Sequence, residues 1–174
     1  RLRCDWSSDV CSSDLAAVQL ARARGARVIA VTSAAKAEAL RGLGAERTLS
    51  REDSLVEILG PDSIDVVIDL VAGPSWPGLL DSLRPGGRYA VAGAIGGPLV
   101  ELDVRTLYLK DLSLYGCTIL APEVFTDLIG HIEQGRISPL VAETYPLEQI
   151  ADAQTAFLEK KHVGKIVLTI TARD

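Results

Sequence analysis

Two stretches of this chain carry residue types that suit a phosphorylated ligand. The first is Thr32-Ser33-Ala34-Ala35-Lys36, which follows a β-branched run and puts hydroxyls one helical turn from a cation. In a dinucleotide site the end of the second strand meets the adenosine ribose. An Asp or Glu there bonds the 2′-hydroxyl of NAD(H), whereas hydroxyls with a cation suit the 2′-phosphate of NADP(H). On charge grounds the stretch favours NADP(H), through Ser33 and Lys36. A second reading makes Ser33 a helix N-cap and Lys36 a solvated charge on the helix that follows.

The second stretch is a pair of glycine turns, Val71-Ala72-Gly73 and Ala92-Gly93-Ala94-Ile95-Gly96-Gly97. Ligands of open α/β sheets lie outside the carboxyl ends of the strands, and glycine lets backbone approach a ligand closely. Such turns also serve simply to reverse the chain. Asp69 stands beside the first of them, placed either for acid–base work or to cap the turn. His131 and His162 read as solvent-facing, and Cys117 as a buried small hydrophobe rather than a reactive thiol. No Ser/His/Asp or Cys/His set assembles, so no catalytic residue is assigned. Nor do Cys, His and Glu cluster as zinc ligands would, so no metal site is expected.

The elements that must position these residues alternate. Ala16 to Arg24 has helical spacing and stops at Gly25, Val28 to Thr32 is of strand length, and Ala35 to Leu43 is a helix stopped by Gly44. A short strand over Glu46 to Leu49 and a helix over Glu52 to Leu59, capped by Ser50 or Asp53, come next. Then follow a strand from Ile64 to Leu70, a helix from Trp76 to Leu83, a tight turn at Pro85-Gly86-Gly87 and a strand from Arg88 to Ala92. Leu112 to Cys117 is a further strand, and Pro122 to Gln134 a long amphipathic helix with Pro in its first turn. Strands separated by helices of this length pair in parallel, and nearly continuous apolar runs are expected when both faces of the sheet are covered. The fold class is α/β, a doubly wound parallel sheet of Rossmann-like type.

The two ends depart from this rhythm. Residues 1–15 repeat Ser-Ser-Asp and lack apolar periodicity, and they read as a non-native segment joined near Leu15. The first strand and glycine loop of a dinucleotide fold are missing, and Asp9 and Asp14 bring negative charge where a pyrophosphate would sit. With a central strand gone, the sheet keeps unpaired edges, so the chain alone is expected to be marginally stable. At the other end, Pro139 to Tyr145 leads into a helix over Leu147 to Lys160 and a closing strand, Gly164 to Ile170.

Composition sets the outer bounds. A chain of 174 residues that is 48% hydrophobic is long enough for one well-buried domain. A net charge of −5 argues against a nucleic-acid partner. No apolar run approaches the roughly 20 residues of a membrane span. Three cysteines without a C-x-x-C pair point to a reducing, cytoplasmic setting.

Taken together, AVQLARARGARVIAVTSAAKAEALRGLGAE, DVVIDLVAG, LRPGGRYAVAGAIGG, LYLKDLSLYGCT and YPLEQIADAQTAFLEKKHVGKIVL resemble the medium-chain dehydrogenase/reductase superfamily of zinc-type alcohol dehydrogenase-like proteins. The nearest branch is that of the zinc-free quinone oxidoreductases. The resemblance implies a partial NAD(P)-binding domain over residues 16–140 and a segment, 141–174, returning to a catalytic domain. It implies NADP(H) contacts at Ser33 and Lys36, at the turn of Ala94, Ile95 and Gly96, and at Lys165, which otherwise reads as a surface charge at a strand start. It also implies hydride transfer to or from a quinone, enone or carbonyl/alcohol substrate by the parent enzyme, this fragment alone being inactive, and a homodimer through the edge strand Leu112 to Cys117.

Two other classes compete. LRPGGRY before a strand also occurs in methyltransferase-like α/β domains, although Thr32-Ser33 and Lys36 replace the acidic residue those usually carry. A non-catalytic binding or dimerisation module is the other.

Overall fold

The computed structural model describes residues 12–159 and 161–170. The chain divides into two compact units, one of residues 1–51 and 125–174, the other of residues 52–124.

The first unit begins with α1 (Ser12–Ala23), β1 (Val28–Thr32), α2 (Ala34–Gly42) and β2 (Ala45–Ser50). Helix α1 starts earlier than Ala16, with Asp14 in its first turn, where a carboxylate complements the helix dipole. Strands β1 and β2 pair in parallel, Thr32 opposite Ser50. Leu15, Val18, Ala30, Leu40 and Ala45 form the core, with Val28, Leu43, Leu140 and Val163 packed against it. The side-chain amide of Gln19 acts as a strand partner for Ser138, accepting from its N–H at 2.8 Å and donating to its C=O at 3.2 Å. This ties the segment after α6 (Pro122–Glu133) to α1. Further on, β6 (Val141–Pro146), a 3-10 turn, α7 (Ile150–Glu159) and β7 (Lys165–Thr169) make a parallel βαβ unit. Sequence periodicity read the β6 stretch only as a lead-in. VAETYP has polar residues in its middle and is largely exposed, so it carries no clear strand pattern.

The second unit runs α3 (Leu55–Leu59), β3 (Ile64–Asp69), a 3-10 turn at Gly73–Ser75, α4 (Trp76–Ser82), β4 (Leu83–Val91), α5 (Val104–Leu109) and β5 (Ser113–Gly116). Its sheet has the order β3-β4-β5, all parallel. Helix α3 takes its N-cap from Ser54, not from Ser50 or Asp53. The turn at Pro85-Gly86-Gly87 lies inside β4, as an irregularity where the register jumps from Ile64↔Leu83 to Val66↔Arg88. Lys110 supports that corner. Its ammonium donates to the carbonyls of Leu80, Asp81 and Leu83, at the end of α4 where a cation satisfies the last C=O groups, and it pairs with Asp62 at 2.9 Å. Helix α5 went unread in the sequence, although Asp103 caps it by accepting from the Arg105 N–H at 2.9 Å.

Val67, Trp76, Leu80, Leu83, Tyr89 and Leu112 form the core of this unit. The strand read over Ile64 to Leu70, observed as Ile64–Asp69, was expected to be buried on both faces. In this unit it is covered on one, since Val67 and Asp69 are buried while Val66 and Ile68 are exposed. No helix among the described residues is long and apolar enough to cross a membrane.

Candidate functional site

Within the second unit, the carboxyl ends of β3 and β4 bring the two glycine turns together. Asp69, the last residue of β3, is 7% exposed. Its Oδ1 accepts from the N–H groups of Val71 (2.8 Å) and Ala72 (2.9 Å), and its Oδ2 accepts from the Tyr89 hydroxyl. The capping reading of Asp69 is therefore the one the structure shows. Tyr89 is fully buried, with its ring edge-on to Trp76 at 4.7 Å between centroids. Burial first, and the hydrogen bond to the Asp69 carboxylate second, push the Tyr89 hydroxyl well above its ordinary pKa, so it stays a neutral donor.

The two turns are stitched by main chain. The Gly96 N–H donates to the Val71 carbonyl at 2.7 Å, and Ala72 and Gly97 form a parallel bridge. Glycine is required at this seam for two reasons. Gly73 has φ +81°, and a Cβ there would lie 2.4 Å from the Gly96 oxygen; a Cβ on Gly93 would lie 2.3 Å from the Leu70 oxygen. An open cleft of about 280 Å³ lies against the seam, walled by Gly73, Trp76, Gly96, Gly97 and Glu101 among others. Ala94, Ile95 and Gly96 are exposed on the second turn, with the Gly96 N–H and the Ala94 carbonyl spent on backbone bonds within the fold.

In the first unit, the end of β1 holds the other predicted residues. Thr32 is 1% exposed, and its hydroxyl is buried without a hydrogen-bond partner among the described residues. Ser33 occupies the N-cap position of α2, but its side chain makes no capping hydrogen bond. Lys36 is 6% exposed, in the first turn of α2. Of the reading that makes Ser33 an N-cap and Lys36 a solvated charge, the N-cap position holds, without a side-chain bond, whereas Lys36 is withdrawn from solvent. Lys165 is exposed at the start of β7, and its N–H donates to the Leu140 carbonyl at 2.8 Å. Another open cleft, of about 440 Å³, lies in this first unit, walled by Gln19, Arg22, Leu43 and Arg136 among others, and contains none of the predicted residues.

Four side chains differ from expectation or were missed. Cys117 is exposed, because it follows an edge strand rather than entering the core. His131 and His162 are half-buried, His162 lying over Phe157 at 5.6 Å between centroids. Tyr89 was missed, since only the β3-β4 register reveals that its strand position brings it to Asp69. Among the described residues no group of His, Cys, Asp and Glu is arranged to hold a metal.

Parallel βα units with glycine turns at the strand ends define a Rossmann-like nucleotide-binding fold. A family model described as zinc-binding dehydrogenase matches residues 15–134, and the chain belongs to that family. The resemblance to the medium-chain dehydrogenase/reductase superfamily is borne out by its relatives. An acryloyl-coenzyme A reductase of Metallosphaera sedula is 33% identical over 155 residues, covering 88% of this chain and 46% of its own. A quinone oxidoreductase of Rattus norvegicus is 27% identical over 169 residues, covering 90% and 51%.

Among solved structures, a Sinorhizobium meliloti protein provisionally named an alcohol dehydrogenase is 45% identical, with a TM-score of 0.81 over 91% of this chain and 45% of its own. An NAD-dependent alcohol dehydrogenase is 29% identical, with a TM-score of 0.77 over 91% and 48%. A mycobacterial protein solved with NADPH is 27% identical, with a TM-score of 0.67 over 89% and 52%. The chain spans about half the length of these relatives.

Proposed function

We propose that this chain is the cofactor-binding part of an NADP(H)-dependent oxidoreductase, whose parent enzyme moves a hydride to or from a quinone, enone or carbonyl/alcohol substrate. The observation that carries the choice of NADP(H) is the end of β1. There Ser33 has a hydroxyl not spent on the helix cap, Lys36 stands one turn on, and no carboxylate occupies residues 32–36. Hydroxyl and ammonium donors suit a phosphate dianion and offer nothing that would repel it. The relative solved with NADPH supports this reading, and the NAD-dependent relative is the reason it needs testing.

On this reading Ser33 and Lys36 hold the 2′-phosphate. The exposed turn of Ala94, Ile95 and Gly96 presents backbone to the cofactor, and Lys165 adds a cation at the start of β7. When bound, the nicotinamide supplies or accepts the hydride, and the protein's part is orientation and electrostatics. We assign residues 16–140 to the nucleotide-binding domain, 141–174 to a segment of the catalytic domain and 1–15 to a non-native stretch, whose last residue, Leu15, packs into the core of the first unit and begins the family match. Residues 1–11 of that stretch, including Asp9, lie outside the described residues. Activity is assigned to the parent and not to this chain alone. We assign the enzyme to a reducing cytoplasm, a reading supported by the lack of any C-x-x-C pair in the sequence. Because β5 is the outer strand of its sheet, the Leu112–Cys117 edge is the surface through which we propose a homodimer.

The deciding experiment is titration of the full-length parent with NADPH and NADH. Lys36→Ala should weaken NADPH binding roughly 10- to 100-fold, the value of a charge-assisted hydrogen bond, and leave NADH little changed. Equal losses for both cofactors would overturn the assignment. Binding of neither by the wild-type protein would favour a non-catalytic module.

A further inference from the structure

The seam between the two glycine turns contains a residue in an unusual conformation. Ala72 has φ 57° and ψ −153°, a region that glycine enters freely and alanine does not. Glycine at this position would remove the strain, so the conformation is being held by something else. The holder is visible in the hydrogen bonds. The Ala72 N–H is fixed on Asp69 Oδ1 at 2.9 Å, the Val71 N–H on the same oxygen at 2.8 Å, and Asp69 is itself anchored through Oδ2 by the Tyr89 hydroxyl.

The consequence reaches the second turn. The strained peptide bridges to Gly97, and the carbonyl of Val71 receives the Gly96 N–H at 2.7 Å. The placement of Ala94 to Gly97 is thereby referred back to one buried carboxylate.

We propose that Asp69 is a positioning residue for cofactor binding. It holds Val71–Gly73 in a conformation the alanine would otherwise leave, and so presets the backbone surface of the Ala94–Gly97 turn. This rests on the reading of that turn as a cofactor contact. Asp69 performs no proton transfer in this role, because both its oxygens are committed to donors inside the fold.

The test uses the full-length parent carrying Asp69→Ala, Ala72→Gly and the two combined, with NADPH affinity, KM and kcat measured on each. Asp69→Ala, which removes the acceptor of both N–H groups, should weaken NADPH binding about tenfold or more, appearing as a raised KM with kcat less affected. Ala72→Gly alone should bind as the wild type does. The double variant should recover most of the loss, because glycine takes the turn conformation without the clamp. A structural cap of no functional consequence predicts a lower melting temperature for Asp69→Ala with unchanged affinity, and that result would overturn the proposal. So would a loss of affinity that Ala72→Gly fails to relieve.

If Asp69→Ala does not fold, Tyr89→Phe removes the anchor while keeping the ring. It should show a smaller loss, again relieved by Ala72→Gly, and the absence of that relief counts against the proposal. Wild-type protein that binds neither NADPH nor NADH would remove the cofactor reading itself, whatever the variants do.

Discussion

The turn after β3 and the turn after β1 solve different problems. After β3, the carboxylate of Asp69 is satisfied by two N–H groups and a tyrosine hydroxyl, and the neighbouring glycine turn is sewn on by main-chain bonds. After β1, Thr32 keeps a buried hydroxyl without a partner among the described residues, and Ser33 makes no capping bond. The first region is a surface of fixed backbone shape. The second depends on what particular side chains carry. A backbone surface fails when its supports or its glycines change, so binding and stability fall together. A side-chain site fails when the group itself is removed, and stability barely notices.

That contrast can be broken or sharpened by substitution. The largest effect is expected from Tyr89→Ala, which empties the centre of the second unit and leaves Asp69 without its anchor. It should cost about 3–5 kcal/mol in denaturant unfolding, and a much smaller loss would mean that this unit does not depend on the pair. Gly73→Ala comes next, at about 2–3 kcal/mol, because the added Cβ meets the Gly96 carbonyl at a positive φ. A near-neutral result would show that the seam can open.

Third is an alkaline limb. The Tyr89 hydroxyl titrates higher in the folded than in the unfolded chain, so the folded state holds its proton longer. The resulting stabilisation is complete below the unfolded value of about 10 and is lost as pH rises beyond it. The unfolding free energy of wild type minus that of Tyr89→Phe should therefore fall above pH about 10, and a flat difference would contradict the buried pair. Ser33→Ala is expected to change stability by less than about 0.5 kcal/mol while weakening NADPH binding by the parent. A stability loss near 1 kcal/mol would return Ser33 to the role of a helix cap. Smallest of all, Arg27→Ala should leave the melting temperature unchanged, since its ion pair with Glu46 is exposed at both ends.

Much of the fold was legible without coordinates. The strand Val28–Thr32 was read with the bounds it has, and the order of helices and parallel strands followed from glycine stops and apolar runs. Ser33, Lys36 and the Ala94–Gly96 turn were picked because residue type and place along a βα rhythm are local properties. Lys36 shows where that reading thins, since nothing local announced that its side chain would be withdrawn from solvent. Strand β6 escaped because its apolar pattern is weak and its pairing partner lies elsewhere in the chain, and helix α5 because six residues are too short for their helical spacing to stand out.

The sequence by itself determined the class of fold, the family and the neighbourhood of the candidate site, all of which depend on patterns within a few tens of residues. Only the tertiary structure decided that Tyr89 meets Asp69 and that the Gln19 amide completes Ser138. It alone decided that Ala72 is held where glycine would be expected. The physical reason is the same in each case. Register across a sheet and backbone conformation at a seam are set by distant atoms competing for the same hydrogen bonds, and residue names do not record that competition.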